Sequence, residues 1–215
     1  GLTIEGDLIV TGSVEQGRAG ISWNATADTY ADPAGFPSGA CSIHKNMKRC
    51  VMNTSGEIQY YLDPNDSTKK SDGSTSDLTG GDGMVMVEIP KFYINYSYSS
   101  PVHTWKISAT PVTGFELHPA FIKAGVEVDY RYMGAYDGAW FDDSADGGAG
   151  AYTDPDNSDA LSTDNTNDYV GSVSGQYPIV GVTRATCRAL CENVGTGFHQ
   201  QDWYLTHAVQ LLYLT

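Results

Sequence analysis

The sequence predicts a sheet-rich α+β fold built from short strands, with two helices at its end. Three observations predict it. Runs dense in β-branched and aromatic residues alternate with Gly-, Asp- and Ser-rich turns along most of the 215 residues. Apolar residues at i, i+3, i+4 and i+7 mark the stretch after Thr183 as helical. The first sixteen residues, "GLTIEGDLIVTGSVEQ", carry a repeat of their own.

In that opening stretch Leu2, Leu8 and Val14 recur every six residues, as do Gly6 and Gly12. β-branched runs broken by Gly-Asp and Thr-Gly read as brief strands joined by tight turns. One such strip cannot bury its apolar side alone, so it needs copies of itself or a neighbour. An ordinary edge hairpin is the plainer alternative. Residues 17 to 62 mix turns with short strands: "SIHKNMKRCVMN" is an amphipathic segment running into a strand, and "GEIQYYLD" is a second. Cys41 to Leu62 is thus a local β unit. Residues 63 to 83, "DPNDSTKKSDGSTSDLTGGDG", form a long polar loop, and loops of that length are functional or well packed.

The strongest strand signal is "MVMVEIPKFYINYSY", residues 84 to 98, with Pro90 marking a bulge or break. "HTWKISATP" and "FELHPAFIKAGVEVDYRYMGAYDGAW" continue as strands. Residues 142 to 171 form a second loop, holding eight Asp and no Lys or Arg. Thr183 caps a helix running to about Val194, with Gly195 and Gly197 as its stop. A second helix starts near Gln201 or Asp202 and runs to the end. Leu205, Ala208, Val209 and Leu212 share one face, while Trp203, His207 and Leu214 lie opposite, so most of this helix is expected to be buried. The domains expected are a β-stem over 1–17, a β-rich entry segment with its polar loop over 18–83, and the main domain over 84–215.

The chain carries 26 acidic residues against 12 Lys and Arg, a formal charge of −14. Binding phosphates needs the opposite sign, so nucleic acid is not an expected partner. No apolar run approaches the roughly 20 residues that span a bilayer, so membrane insertion is not expected. No signal-peptide pattern opens the chain. Residue 1 is Gly, and Leu211-Leu212-Tyr213-Leu214-Thr215 run apolar to the last position. Both ends are therefore expected to continue into further polypeptide or to pack on a neighbour.

Several motifs in order, "MVMVEIPKFYIN", "GFELHPAFIKAGVEVDYRYMGAYDGAW" and "YPIVGVTRATCRALCENVGTGFHQQDWYLTHAVQLLYL", resemble a recurrent phage-encoded virion module described as a tail or head-fibre protein. The "LTVTG-like" opening repeat resembles fibre shafts in which three chains wind together. The final helix, glycine turn and Trp-bearing helix also resemble the formylglycine-generating-enzyme type of C-type lectin-like fold, which phage tropism determinants diversified by retroelements use too. The resemblance implies a C-type lectin-like domain with long ligand-facing loops, a trimerising β-stem and a place in the virion. Its implied partners are other copies of the chain, other virion proteins, and a host surface glycan or protein. The enzymes of that class place their copper-binding cysteine pair beyond the helix at which this chain stops, so no catalytic role passes to Cys187 and Cys191. No ligand residue transfers either.

The candidate sites are few. Cys187, Cys191 and His199 invite a zinc or copper reading, but both thiols fall on one helical face without a convincing fourth ligand, and core packing is the simpler account. Cys41 and Cys50 either close a small loop or stay free. His199 to Asp202 reads as capping, Asp202 suiting the positive end of a helix. His118, before Pro119, reads as a structural corner, and His207 as a satisfied, half-buried histidine. Calcium is the cofactor the acidic loop would hold, through Asp154, Asp156 and Asp159, against a plain solvated loop. Tyr136, Trp140 and Tyr152 are the expected ligand-facing aromatics, since Tyr and Trp stack on sugars at low rotamer cost. The competing account is that such Tyr residues, Tyr130 and Tyr132 among them, cover a sheet face. No nucleophile elbow, zinc-protease motif or phosphate loop occurs. The expected function is non-enzymatic: a structural, receptor-binding fibre protein. A capsid or tail decoration protein and an oxidase or glycan hydrolase are the alternatives.

Overall fold

A computed structural model describes residues 17–39, 41–144, 148–153 and 167–215. The expected stem repeat, with Leu2, Leu8 and Val14, lies outside them, as do Asp154, Asp156 and Asp159. The chain is α+β and sheet-rich, as its patterning predicts, with four sheets and few helices among the described residues. Among the described residues no helix is long and apolar enough to cross a membrane.

The chain divides into two compact units rather than into consecutive segments. Of the described residues, one contains those up to Asn46 together with Pro90–Asp129 and His207–Thr215; the other contains Met47–Ile89 and those within Tyr130–Thr206. The expected boundary between 18–83 and 84–215 does not follow these units, because distant strands pair, and the stem expected over 1–17 lies almost wholly outside the described residues. Strand β1 (Arg18–Asn24) takes its partner from beyond residue 100.

The first unit is built on a five-stranded sheet of order β2-β1-β7-β6-β8, with β2 Thr29–Ala31, β6 Tyr93–Ser99, β7 Val102–Ser108 and β8 Glu116–Leu117. A small hairpin, β9 (Ile122–Lys123) with β10 (Val126–Glu127), accompanies it. Pro90 breaks the long strand signal, so β5 (Met84–Pro90) stops and the chain restarts at Tyr93. Between them Phe92 drops its ring into the core beside His118 and Phe121. His118 caps a 3-10 turn, Pro119–Phe121, by accepting the Ala120 N–H at 3.1 Å. Helix α1, Ser42–Asn46, begins at Cys41, whose backbone N–H is accepted by His44 Nδ1 at 3.2 Å, in the manner of a capping box.

The second unit holds a four-stranded sheet, β11-β5-β3-β4, with β3 Lys48–Met52, β4 Ile58–Tyr61 and β11 Tyr130–Gly134. A three-stranded sheet, β13-β12-β14, comprises β12 Gly138–Asp142, β13 Ala151–Thr153 and β14 Tyr169–Ser172. Helix α2 spans Arg184–Asn193, with Thr183 as N-cap accepting the Thr186 N–H at 3.2 Å. Helix α3 spans Trp203–Leu214, its residues to Thr206 belonging to this unit and those from His207 to the first. Asp202 caps it, accepting the Leu205 N–H at 2.7 Å while its other oxygen meets Arg131 at 3.0 Å. This last helix is less covered than expected. Leu205, Ala208, Leu211 and Leu212 are buried, yet Trp203 is 70% and Tyr213 89% exposed, because burial follows one stripe and not both apolar sides.

The polar tract 63–83 is ordered by one device used three times. Asp66, Asp72 and Asp77 each accept both the N–H and the hydroxyl of the Thr or Ser two residues on, at 2.6 to 3.0 Å. Arg49 reaches from β3 into the same tract and donates to Ser67 Oγ and to the carbonyls of Asp63 and Pro64. Asp-x-Ser/Thr turns satisfy backbone groups that a strand ladder would otherwise occupy.

Candidate functional site

The first unit gathers a row of aromatic rings by strand alternation alone. Residues two apart point to the same face, and β1, β7 and β6 pair without a bulge. Trp23, His103 and Tyr98 therefore stand directly opposite one another, and Trp105 and Tyr96 form the next row inward. His103 is the hub: its ring lies 5.4 Å from Trp23, 4.6 Å from Tyr98, 5.8 Å from Trp105 and 6.2 Å from Tyr96. Tyr96 Oη and His103 Nδ1 share a hydrogen bond of 2.8 Å, and Trp23 Nε1 donates to Asp28 at 3.1 Å, fixing both ends of the row. The same face continues inward to Ala19 and Ile107, both fully buried. At its outer end Tyr96 and Tyr98 remain 53% and 57% exposed. One sheet face thus runs from hydrophobic core to an open aromatic surface.

At the inner edge of that surface a cavity of about 360 Å³ opens, lined by Ile94, Asn95, Tyr96, Trp105, Lys106, His207 and Leu211. His207 is held by a second histidine. His118 Nδ1 already accepts the Ala120 amide, so the ring proton of His118 sits on Nε2 and is donated to His207 Nδ1 at 3.0 Å. The two rings stack with centroids 5.1 Å apart. Burial, with a smaller push from His207, lowers His118 to about 4. His118 is accordingly neutral near pH 7.

The aromatics expected at the ligand surface lie in the other unit, where Trp140 is buried, Tyr152 is half-buried and Tyr136 is exposed. Trp140 is only 4% exposed, its strand β12 being the centre of the three-stranded sheet. Its indole N–H has no hydrogen-bond partner among the described residues, nor has Oδ2 of the buried Asp168. Burial pushes the Asp168 carboxyl up, and the nearby Asp142 and Asp143 add to it. Tyr152 packs edge-on against Phe141 and Tyr169, and burial pushes its hydroxyl up. Its ring fits because Gly80 and Gly171 are bare where a Cβ would collide with it. Tyr136, 37% exposed, is the one of the three at the surface, its amide donated to Ser172 Oγ at 2.8 Å. Calcium was expected on Asp154, Asp156 and Asp159, outside the described residues. Among the described residues no group of three or more His, Cys, Asp or Glu is placed to hold a metal.

The cysteines are free thiols. Burial, then the neighbouring Cys187, pushes Cys191 up to about 12, and burial, then Glu88, does the same to Cys50. Cys41 Sγ lies 3.4 Å from His44 Nδ1. Burial raises this thiol, but the His44 hydrogen bond and backbone amides outweigh it, and its pKa is lowered. The same contact, against burial and with help from the Leu212 carbonyl 2.8 Å from Nε2, raises His44, while Nδ1 also lies 3.2 Å from the Cys41 amide. His199 donates from Nδ1 to the Gln200 carbonyl at 2.9 Å rather than joining Cys187 and Cys191.

A buried carboxylate missed in the sequence sits in the second unit. Glu88, 4% exposed, accepts hydrogen bonds from both Tyr61 and Tyr132 at 2.9 Å. Burial and this carboxylate push Tyr61 up to about 12 and raise Tyr132 further. Lys48, opposite Glu88 across β3 and β5, lies 5.0 Å over the Tyr61 ring. Alternation could have found it: in "MVMVEIP" Glu88 shares the face of Met84 and Met86. No family model, curated protein or solved structure matches this chain.

Proposed function

We propose that this chain is a structural, receptor-binding fibre protein of a phage virion, with a C-type lectin-like domain that recognises a surface ligand by aromatic contact. The observation that carries the reading is the open aromatic face of β1, β7 and β6, where Tyr96 and Tyr98 keep about half their surface in water. Soluble proteins seldom leave clustered Trp and Tyr uncovered unless something binds there. Each ring offers an apolar body with a polar tip, which suits a hydroxyl-rich ligand such as a host surface glycan. Weak single contacts of this kind become effective when copies are linked, and the six-residue repeat supplies a trimerising stem in this account.

The oxidase alternative needs a reactive thiolate pair; Cys50 and Cys191 are pushed up to about 12, while Cys41 is lowered. A decoration protein remains the second reading, because the acidic, well-ordered loop tract serves an architectural role equally well. Two measurements test the proposal together: the mass of the intact chain in solution and its adsorption to a glycan array and to bacterial surfaces. A trimeric mass with saturable adsorption is expected. A monomer that adsorbs nowhere would overturn the fibre-adhesin reading, and a trimer that adsorbs nowhere would leave the decoration role.

A further inference from the structure

We propose that the cavity beside helix α3 is a binding pocket for one neutral hexopyranose ring, the terminal sugar of the glycan that the aromatic face engages; the inference rests on the fibre-adhesin reading. Tyr96 and Trp105 form the floor, and His207 and Leu211, one helical turn apart, form the wall. The volume, about 360 Å³, lies within the ~300–1,000 Å³ of small-ligand sites.

Its chemistry selects a neutral sugar. Strand alternation turns the side chains of Asn95 and Lys106 to the opposite face, where Asn95 donates to the Gly114 carbonyl at 2.7 Å and Lys106 lies 5.1 Å over Phe36. Those two residues therefore present backbone to the cavity, and the Lys106 charge lies outside it. His207 Nδ1 is occupied by the proton it accepts from His118. A carboxylated or phosphorylated sugar would find no Lys or Arg side chain in the cavity and would meet a chain of net charge −14. A neutral pyranose instead finds a ring face in Tyr96 or Trp105 for its C–H groups, and the Trp105 indole N–H and the backbone for its hydroxyls.

The test is an NMR titration of the intact chain that follows the Trp105 indole resonance. The probes are methyl glycosides of glucose, galactose and mannose, with methyl glucuronoside as the charged comparison. At least one neutral glycoside should shift the signal saturably, and the glucuronoside should bind more weakly. Tyr96→Ala, at an exposed position, should weaken the neutral glycoside about tenfold, the loss expected for one aromatic contact. Tyr177→Ala, at an exposed position in the other unit, should leave it unchanged. Absence of a shift with every neutral glycoside, an equal or stronger response to glucuronoside, or unchanged binding in Tyr96→Ala would each overturn the proposal. Should Tyr96→Ala misfold, Trp105→Phe, which keeps a ring and loses the N–H, carries the same prediction, read from the glycoside's own resonances. Adsorption to glycans without any glycoside in the cavity would defeat this inference and leave the broader reading standing.

Discussion

His118 caps its 3-10 turn with a lone pair that protonation would remove, so the first unit carries a built-in sensitivity to acid. The unfolded chain takes up that proton near pH 6.5, and the folded chain only near 4. Between those values the unfolded state binds more protons, and stability falls as pH falls. The displacement corresponds to roughly 3 kcal/mol by the foot of the window. His118→Asn keeps a side-chain acceptor for the Ala120 amide but does not titrate. Urea unfolding of this variant at a series of pH values should show a flatter decline from 6.5 to 4 than wild type, and an identical decline would reject the assignment. Glu88 gives the second residue-scale expectation. Glu88→Ala strands two tyrosine hydroxyls, at a cost of about 2–3 kcal/mol, whereas Glu88→Gln keeps an acceptor and costs about half as much. Equal losses in denaturant unfolding would contradict the hydrogen-bond account.

Among the elements, the tract 63–83 shows what composition could and could not tell. Its length and polarity said loop, and the loop is there, but its order comes from Asp-x-Ser/Thr turns spaced six and five residues apart. Hydrogen bonds from the paired hydroxyls, then from the backbone amides, hold Asp66, Asp72 and Asp77 below the usual carboxylate value. Their support is complete above that ordinary value and is lost as pH falls through the lowered ones. Asp77→Ala should cost about 1 kcal/mol and speed proteolytic cleavage within 63–83; unchanged cleavage would show that the turn is held otherwise. The helix ends were legible because capping is local: Thr183, Asp202 and Gly195 sit where their side chains or backbone predict. Gly195, at φ +153°, also passes so close to the Thr54 carbonyl that a Cβ would collide with it. Gly195→Ala should therefore lower stability by about 2 kcal/mol or more in thermal unfolding, and a loss of only a few tenths would contradict the close approach.

For the whole molecule, the sequence carried the class but not the partition. β-branched and aromatic runs foretold sheets, yet the pairing of β1 with β7 spans some eighty residues and no local pattern announces it. That pairing places Trp23 beside His103, and so creates the aromatic face from stretches that look unrelated in the chain. The same limit misassigned Trp140: a Trp beside an acidic loop looks available, but its place on the central strand of a three-stranded sheet buries it. Exposure is a property of the assembled sheet, and only the Tyr-rich stretch 93–98 hinted at it. The central claim is that the face of β1, β7 and β6 is the recognition surface. Its most direct measure is equilibrium binding of the double variant Trp23→Ala, Tyr98→Ala to whichever surface the wild-type chain adsorbs, with thermal unfolding as the folding control. The account predicts at least about a tenfold loss of affinity with the fold retained; undiminished binding by a folded double variant would contradict it.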